Sequence, residues 1–337
     1  MAEIVLAIGS SHGPMLSTPP SGWDLRVPDD RRHRHPYRGR DWSFDELVAQ
    51  RRNERLEEQV TPERWRARHA ACRAAISRLA AIFDETRPDV AILFGDDQME
   101  CFRHGVVPSL GIFYGPHFVN SEYDAERIAA LPPGIAPSLP GHIPPGGATY
   151  PGSPELALHL LRHAQADGFD LCAMKRMPGD ETPHAFGFLC RQIMSDRVIP
   201  SIPVFINTFY PPNQPTASRC AELGYSLLEA VKSWPQNVRV ALLASGGLTH
   251  FVIDEEVDRQ VLQAITTGTV SGITSLPEST FQSGTSEIKN WIPVVAAMSQ
   301  LGMPAQIIDY VPCYRSLAGT GNAMGFVCWR RGQQGAP

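Results

Sequence analysis

The feature that most constrains this chain is a set of short apolar runs that stop at polar residues and alternate with segments of helical period. Asp89-Val-Ala-Ile-Leu-Phe-Gly95 is apolar throughout its interior, and a strand of that kind must be covered on both faces. Glu3–Ile8, Leu171–Met174, Ile202–Phe209 and Val238–Ala244 repeat the pattern. Between them, Thr61-Pro62 supplies an N-cap and an N1 proline, Trp65, Cys72, Ile76, Leu79 and Phe83 recur at helical spacing, and Pro88 ends the helix. Pro154–Asp167, Ala217–Ser233 and a segment near Asp254–Thr266 also read as helices. Doubly buried strands alternating with helices predict an α/β fold with a central mixed β-sheet flanked by helices.

Two stretches break the alternation. Residues 17–60 are rich in Pro, Arg and Asp, and residues 115–155 become dense in Pro and Gly from 131 onward. Both read as irregular insertions, with 131–153 a candidate lid. The expected organisation is one catalytic domain over 1–337 carrying these insertions.

Composition removes several function classes. With 30 Lys and Arg against 35 Asp and Glu, the net charge is −5, which leaves no electrostatic footprint for nucleic acid or an anionic membrane. The basic cluster Arg31–Arg40 is interrupted by His33, His35, Pro36 and Gly39 and reads as a solvated loop. No apolar run reaches the roughly 18 residues of a membrane span. Glu3 sits early in the first apolar run, and no basic segment precedes it, so the N-terminus reads as a strand and not as a signal peptide. Seven cysteines without a CxxC pair fit reduced thiols. The expected compartment is the cytoplasm.

In α/β sheets, ligands bind beyond the carboxyl ends of the strands. Four such ends carry polar groups: Ser10-Ser11-His12, Asp96-Asp97-Gln98, Asn207-Thr208 and Ser245 to His250, with Asp254-Glu255-Glu256 close behind. Histidine, carboxylate and amide oxygen together suit a hard to borderline divalent cation such as Fe(II) or Mn(II). Singly, each residue has a plainer reading. His12 suits a turn, Asp96 and Asp97 suit a helix cap, and Asp254-Glu255-Glu256 suits a first turn complementing the helix dipole. Only their joint occurrence points to chemistry.

These segments resemble the class III extradiol ring-cleavage dioxygenases. Ser11-His12-Gly13-Pro14 is similar to that family's first metal-ligand motif, Gly246 to His250 with the following acids to its Gly-Gly-x-Ser/Thr-His segment and glutamate ligand, and Pro183-His184-Ala185-Phe186 to the stretch holding a catalytic histidine. Thr285 to Trp291 resembles the motif whose small polar residues approach substrate. The strings Ile8–Pro14, Leu16–Pro20, Gly95–Gln98 and Asn207–Pro215 resemble the subgroup that acts on 3-O-methylgallate. The resemblance implies an Fe(II) cofactor held by His12, Gln98 and Glu256, with Glu255 the second choice. It also implies His184 as acid–base catalyst, and Asp97, His250, Thr285 and Ser286 at the substrate. Gln98 stands where the family has a second histidine, so Asp97 or another histidine such as His250 is an alternative ligand. The implied partners are a small catecholic acid, O2 and a second copy of the chain in a homodimer, with no nucleic acid and no membrane. An O2-independent metal hydrolase or lyase, and a non-catalytic interaction module, are the competing readings.

Overall fold

The protein is described here by a computed structural model, which describes residues 1–103 and 105–330. Its frame is a nine-stranded sheet. The strands are β1 (Glu3–Ser11), β2 (Val90–Gly95), β3 (Leu110–Phe113), β4 (Cys172–Met174), β5 (Ser201–Ile206), β6 (Arg239–Gly246), β7 (His250–Val252), β8 (Ala305–Tyr314) and β9 (Thr320–Arg330). They lie in the order β7-β9-β1-β6-β2-β5-β3-β4, with β8 on β9. The central strands β1, β6, β2 and β5 are parallel, while β9 runs antiparallel to β1 and β3 antiparallel to β5. The sheet is therefore mixed, as expected from the sequence.

Helices α1 (Pro62–Thr86), α2 (Pro154–Ala166), α3 (Ala217–Ser233), α4 (Glu255–Thr267) and α5 (Ile288–Gln300) flank it. The caps act where the sequence places them. The Thr61 hydroxyl accepts from the Arg64 N–H, and the Asp254 carboxylate accepts from the Glu256 N–H at the start of α4. Every residue of β2 is buried, which explains why that run carries no polar alternation. Each large aliphatic side chain removed from water there contributes about 1.5–3 kcal/mol. Helix α5 is buried from Ile288 to Met298. It approaches α3 closely because Gly224 has no Cβ; one built there would lie 2.2 Å from the Pro293 carbonyl oxygen. Among the described residues, no helix is long and apolar enough to cross a membrane, and all seven cysteines are free thiols.

Residues 17–60 are more ordered than their sequence suggests. Helix Phe44–Gln50 begins at a Ser43–Glu46 capping box, a hairpin pairs His35–Tyr37 with Arg40–Trp42, and 3-10 turns fill much of the rest. Two ion pairs dock this segment. Arg315 donates to both oxygens of the buried Asp30 at 2.8 and 2.7 Å, and Arg38 donates to both oxygens of Asp254 at 2.7 and 2.9 Å. The second insertion also contributes structure, a hairpin between His117–Asn120 and Ala148–Pro151.

Candidate metal centre

Register delivers the first ligand candidates. Strands β1 and β6 pair Ser10 with Ser245 and Ser11 with Gly246, and β6 pairs Ala244 with Phe94 of β2. The three carboxyl ends therefore finish nearly level. His12 continues the ladder by donating its N–H to the Gly246 carbonyl, and its Nδ1 lies 2.7 Å from Ser245 Oγ. With Nδ1–H donating to that hydroxyl, Nε2 presents a lone pair to the interior. Asp96 is the first residue beyond β2 and is completely buried; Asn290 of α5 donates to its Oδ1 at 2.8 Å.

Glu287, immediately before α5, completes the cluster. Ligand atoms of His12, Asp96 and Glu287 all lie within 4.8 Å of one another. Glu287 Oε2 is 3.2 Å from His12 Nε2, yet it is buried and accepts no hydrogen bond. The other oxygen, Oε1, accepts from Gln98 Nε2 at 2.9 Å and lies 3.3 Å from His250 Nε2. Burial opposes ionisation of Glu287, but His12 and His250 hold its carboxyl well below the usual range. Burial pushes Asp96 up to about 6, and the Glu287 charge adds to the rise. Two carboxylates and an imidazole nitrogen with converging lone pairs, one of them orphaned, fit a divalent cation.

Two further histidines border this point. His184 Nε2 is 3.1 Å from His12 Nε2. Its backbone N–H and its Nδ1 both reach Glu100 Oε1, at 3.0 and 2.5 Å. Burial would lower the His184 pKa, but the Glu100 carboxylate raises it to about 10. His250 opens β7, and its Nδ1 donates to the Leu248 carbonyl at 2.8 Å. A carbonyl can only accept, so the Nδ1 proton is fixed and Nε2 faces the cavity. Gly284 makes room for that ring: a Cβ there would lie 2.1 Å from His250 Cδ2.

A cavity of about 390 Å³ opens from the cluster. His12, Gln98, His184, His250 and Glu287 form its floor, and residues of both insertions, including Arg26, Tyr123, Ile135 and His142, form its walls.

Several sequence expectations are corrected here. Glu256 is not at the cluster; its side chain is 70% exposed and bound by Arg38. Glu255 accepts instead from the Tyr314 hydroxyl. Both belong to the acidic first turn of α4, which complements the helix dipole. The glutamate in reach of His12 is Glu287. Gln98 does line the cavity, but it turns its amide nitrogen to Glu287 and Asp96, and an amide NH2 donates rather than ligates. Asp97, Thr285 and Ser286 are not among the described residues that line the cavity. Asp97 accepts from the backbone N–H groups of Met99, Cys101 and Phe102. Thr285 clamps the backbone of His250, accepting from its N–H and donating to its carbonyl. Ser286 donates to the Ser283 carbonyl. His12, His184 and His250, by contrast, are brought together.

Glu287 and Glu100 are the residues that sequence reasoning misses. Glu287 lies inside the Thr285–Trp291 segment, and the one available signal is an acid directly ahead of the long apolar run Ile288–Met298. Glu100 follows the Asp96–Gln98 turn by two residues and carries no mark of its burial.

A family model described as the catalytic LigB subunit of aromatic ring-opening dioxygenase matches residues 75–324. The chain is 30% identical over 119 residues to gallate dioxygenase of Pseudomonas putida, which covers 34% of this chain and 33% of that protein. It therefore spans about a third of the length of that curated relative. Among solved structures, an uncharacterized protein from Escherichia coli K12 shows a looser likeness, with a TM-score of 0.45 and 15% identity over 75% of this chain and 91% of the other.

Proposed function

Because the chain belongs to the LigB family of catalytic subunits of aromatic ring-opening dioxygenases, we propose that it is a cytoplasmic, Fe(II)-dependent extradiol dioxygenase for a small catecholic acid. 3-O-methylgallate or a near relative is the proposed substrate. The observation that carries this reading is the convergence of His12, Asp96 and Glu287 within 4.8 Å, with His12 and Glu287 lining a cavity sized for one small aromatic and Asp96 wholly buried beside them. The local similarity to a gallate dioxygenase supports the substrate class, since 3-O-methylgallate is gallate with one added methyl.

His12, Asp96 and Glu287 would hold the ion. When bound, it would lower the pKa of the catechol hydroxyls and bring the diol and O2 together. The protein supplies the proton handling. His250, with its Nδ1 proton fixed by the Leu248 carbonyl, would hold a second proton on Nε2 toward the Glu287 carboxylate, whose charge raises its pKa against burial. His184, kept cationic by Glu100, is placed to give a proton as the ring opens. Gln98 steadies the Glu287 carboxylate through its amide NH2.

One observation favours a second reading, an O2-independent hydrolase or lyase: the donor set has two carboxylates and one imidazole, a harder set that also suits Mn(II). A non-catalytic module is harder to reconcile with a wholly buried carboxylate kept ionised between histidines, because such an arrangement is costly without a ligand to hold. O2 uptake by ferrous-reconstituted protein across a panel of catecholic acids separates the readings. Uptake on at least one of them is expected; turnover that continues under anaerobic conditions would establish the second reading instead.

A further inference from the structure

The floor of the cavity is anionic, with Asp96, Glu100 and Glu287 buried around it. The lining of the cavity also carries positive charge. Arg315 and Arg26 both line it, and they differ in one respect. Arg315 is fully engaged, with Nε and Nη2 donating to both oxygens of Asp30. Arg26 reaches Asp29 only at 3.5 Å, and its Nη1 is buried and donates to nothing. The Arg26 side chain is only 14% exposed.

A buried guanidinium with a free NH2 is costly. Burial and then the neighbouring charge of Arg315 depress its pKa, against the attraction of Asp30 and Asp29. Nothing else in the wall takes up that donor. Arg127, from the second insertion, is committed to Glu181 and lies on the Tyr123 ring. Leu131, Ile135, Leu139 and Phe188 are apolar and line the same cavity, a surface suited to an aromatic ring.

We propose that Arg26 is the specificity residue of this cavity, its guanidinium, held to Asp29 only at 3.5 Å, turning its unpaired Nη1 to the carboxylate of an aromatic acid whose diol faces His12 and Glu287. Guanidinium and carboxylate match in charge and geometry. The placement also selects acids over plain catechols, because an uncharged ring would leave the buried donor unmet. Thr285 and Ser286, the groups the sequence suggests for this task, are occupied with backbone partners. The diol half of this assignment rests on the ring-cleavage reading above; the carboxylate half does not.

Calorimetric titration of the full chain with 4-hydroxybenzoate, which has the carboxylate but no diol, tests the carboxylate half alone. Wild type is expected to bind it, and Arg26→Gln to bind it about 10- to 100-fold more weakly. Arg26→Lys, which keeps the charge but loses the planar fork, should fall between them and serves equally if Arg26→Gln does not fold. In the ferrous protein, the preference in kcat/KM for protocatechuate over catechol should drop by a similar factor in Arg26→Gln. Equal affinity of wild type and both variants for 4-hydroxybenzoate, or no binding by wild type, overturns the assignment. Binding that behaves as expected without O2 uptake on any catecholic acid removes the ring-cleavage reading and leaves Arg26 as the anchor of an aromatic acid.

Discussion

Oε2 of Glu287 and Nε2 of His12 stand 3.2 Å apart, and the glutamate oxygen accepts no hydrogen bond from anything around it. Two electron-rich atoms held this close in a buried site repel one another unless positive charge lies between or beside them. The surrounding contacts fix the pair in place: Ser245 orients the imidazole, and Gln98 occupies the other carboxylate oxygen. This arrangement suits the cation proposed above.

Glu287→Gln is expected to lose bound divalent metal. The substitution removes the charge and places an NH2 among the donors. Metal content after ferrous loading and desalting should fall at least about tenfold, while Glu256→Gln, on the exposed turn beside Arg38, should retain it. The reverse ranking would restore Glu256 as the ligand.

Loss of the imidazole at position 184 should separate metal binding from turnover. His184→Phe is expected to keep its iron, because His12, Asp96 and Glu287 remain. Turnover should fall by roughly 10²- to 10⁴-fold through loss of the acid–base group. Unchanged turnover would take His184 out of the reaction.

Asp258 ties the segment bearing His250 to β8. It accepts from the Thr249 N–H and hydroxyl and from the Tyr310 hydroxyl, and burial raises its pKa to about 7. An aspartate in the unfolded chain titrates near 3.8, so the folded state binds the extra proton. Its stabilising contribution is complete below about pH 4 and is lost as pH rises through 7. Asp258→Leu leaves the Thr249 N–H and the Thr249 and Tyr310 hydroxyls without their buried partner and should cost about 1–3 kcal/mol at pH 5. The gap between wild type and variant in urea unfolding should narrow by pH 8. A gap that widens with pH would mean that the carboxylate is held ionised.

The sequence made the strand ends legible because β2, β5 and β6 are continuous apolar runs that stop at polar residues, and parallel register then brings those ends level. Glu287 was hidden because an acid before a helix also reads as a dipole complement; Glu256, in a turn with three acids, carries the same plain reading and is singled out by the family resemblance. What separates them is burial, and burial depends on α5 packing against β6, β2 and β1, which no local pattern encodes. The insertion 17–60 lacks periodicity because distant ion pairs, Asp30 with Arg315 and Arg38 with Asp254, organise it. Strand β9 was missed for a different reason: Thr320-Gly-Asn-Ala-Met-Gly325 has the composition of a loop, yet every residue of it is buried in a strand with β8 along one edge and β7 and β1 along the other.

The most direct test of the central claim is mass spectrometry of the ring-opened product formed under ¹⁸O2 by ferrous-loaded protein with 3-O-methylgallate or protocatechuate. Incorporation of both labelled oxygen atoms by wild type, with no labelled product from Glu287→Gln, is the predicted result. Turnover of the aromatic acid to a product carrying no label would contradict it.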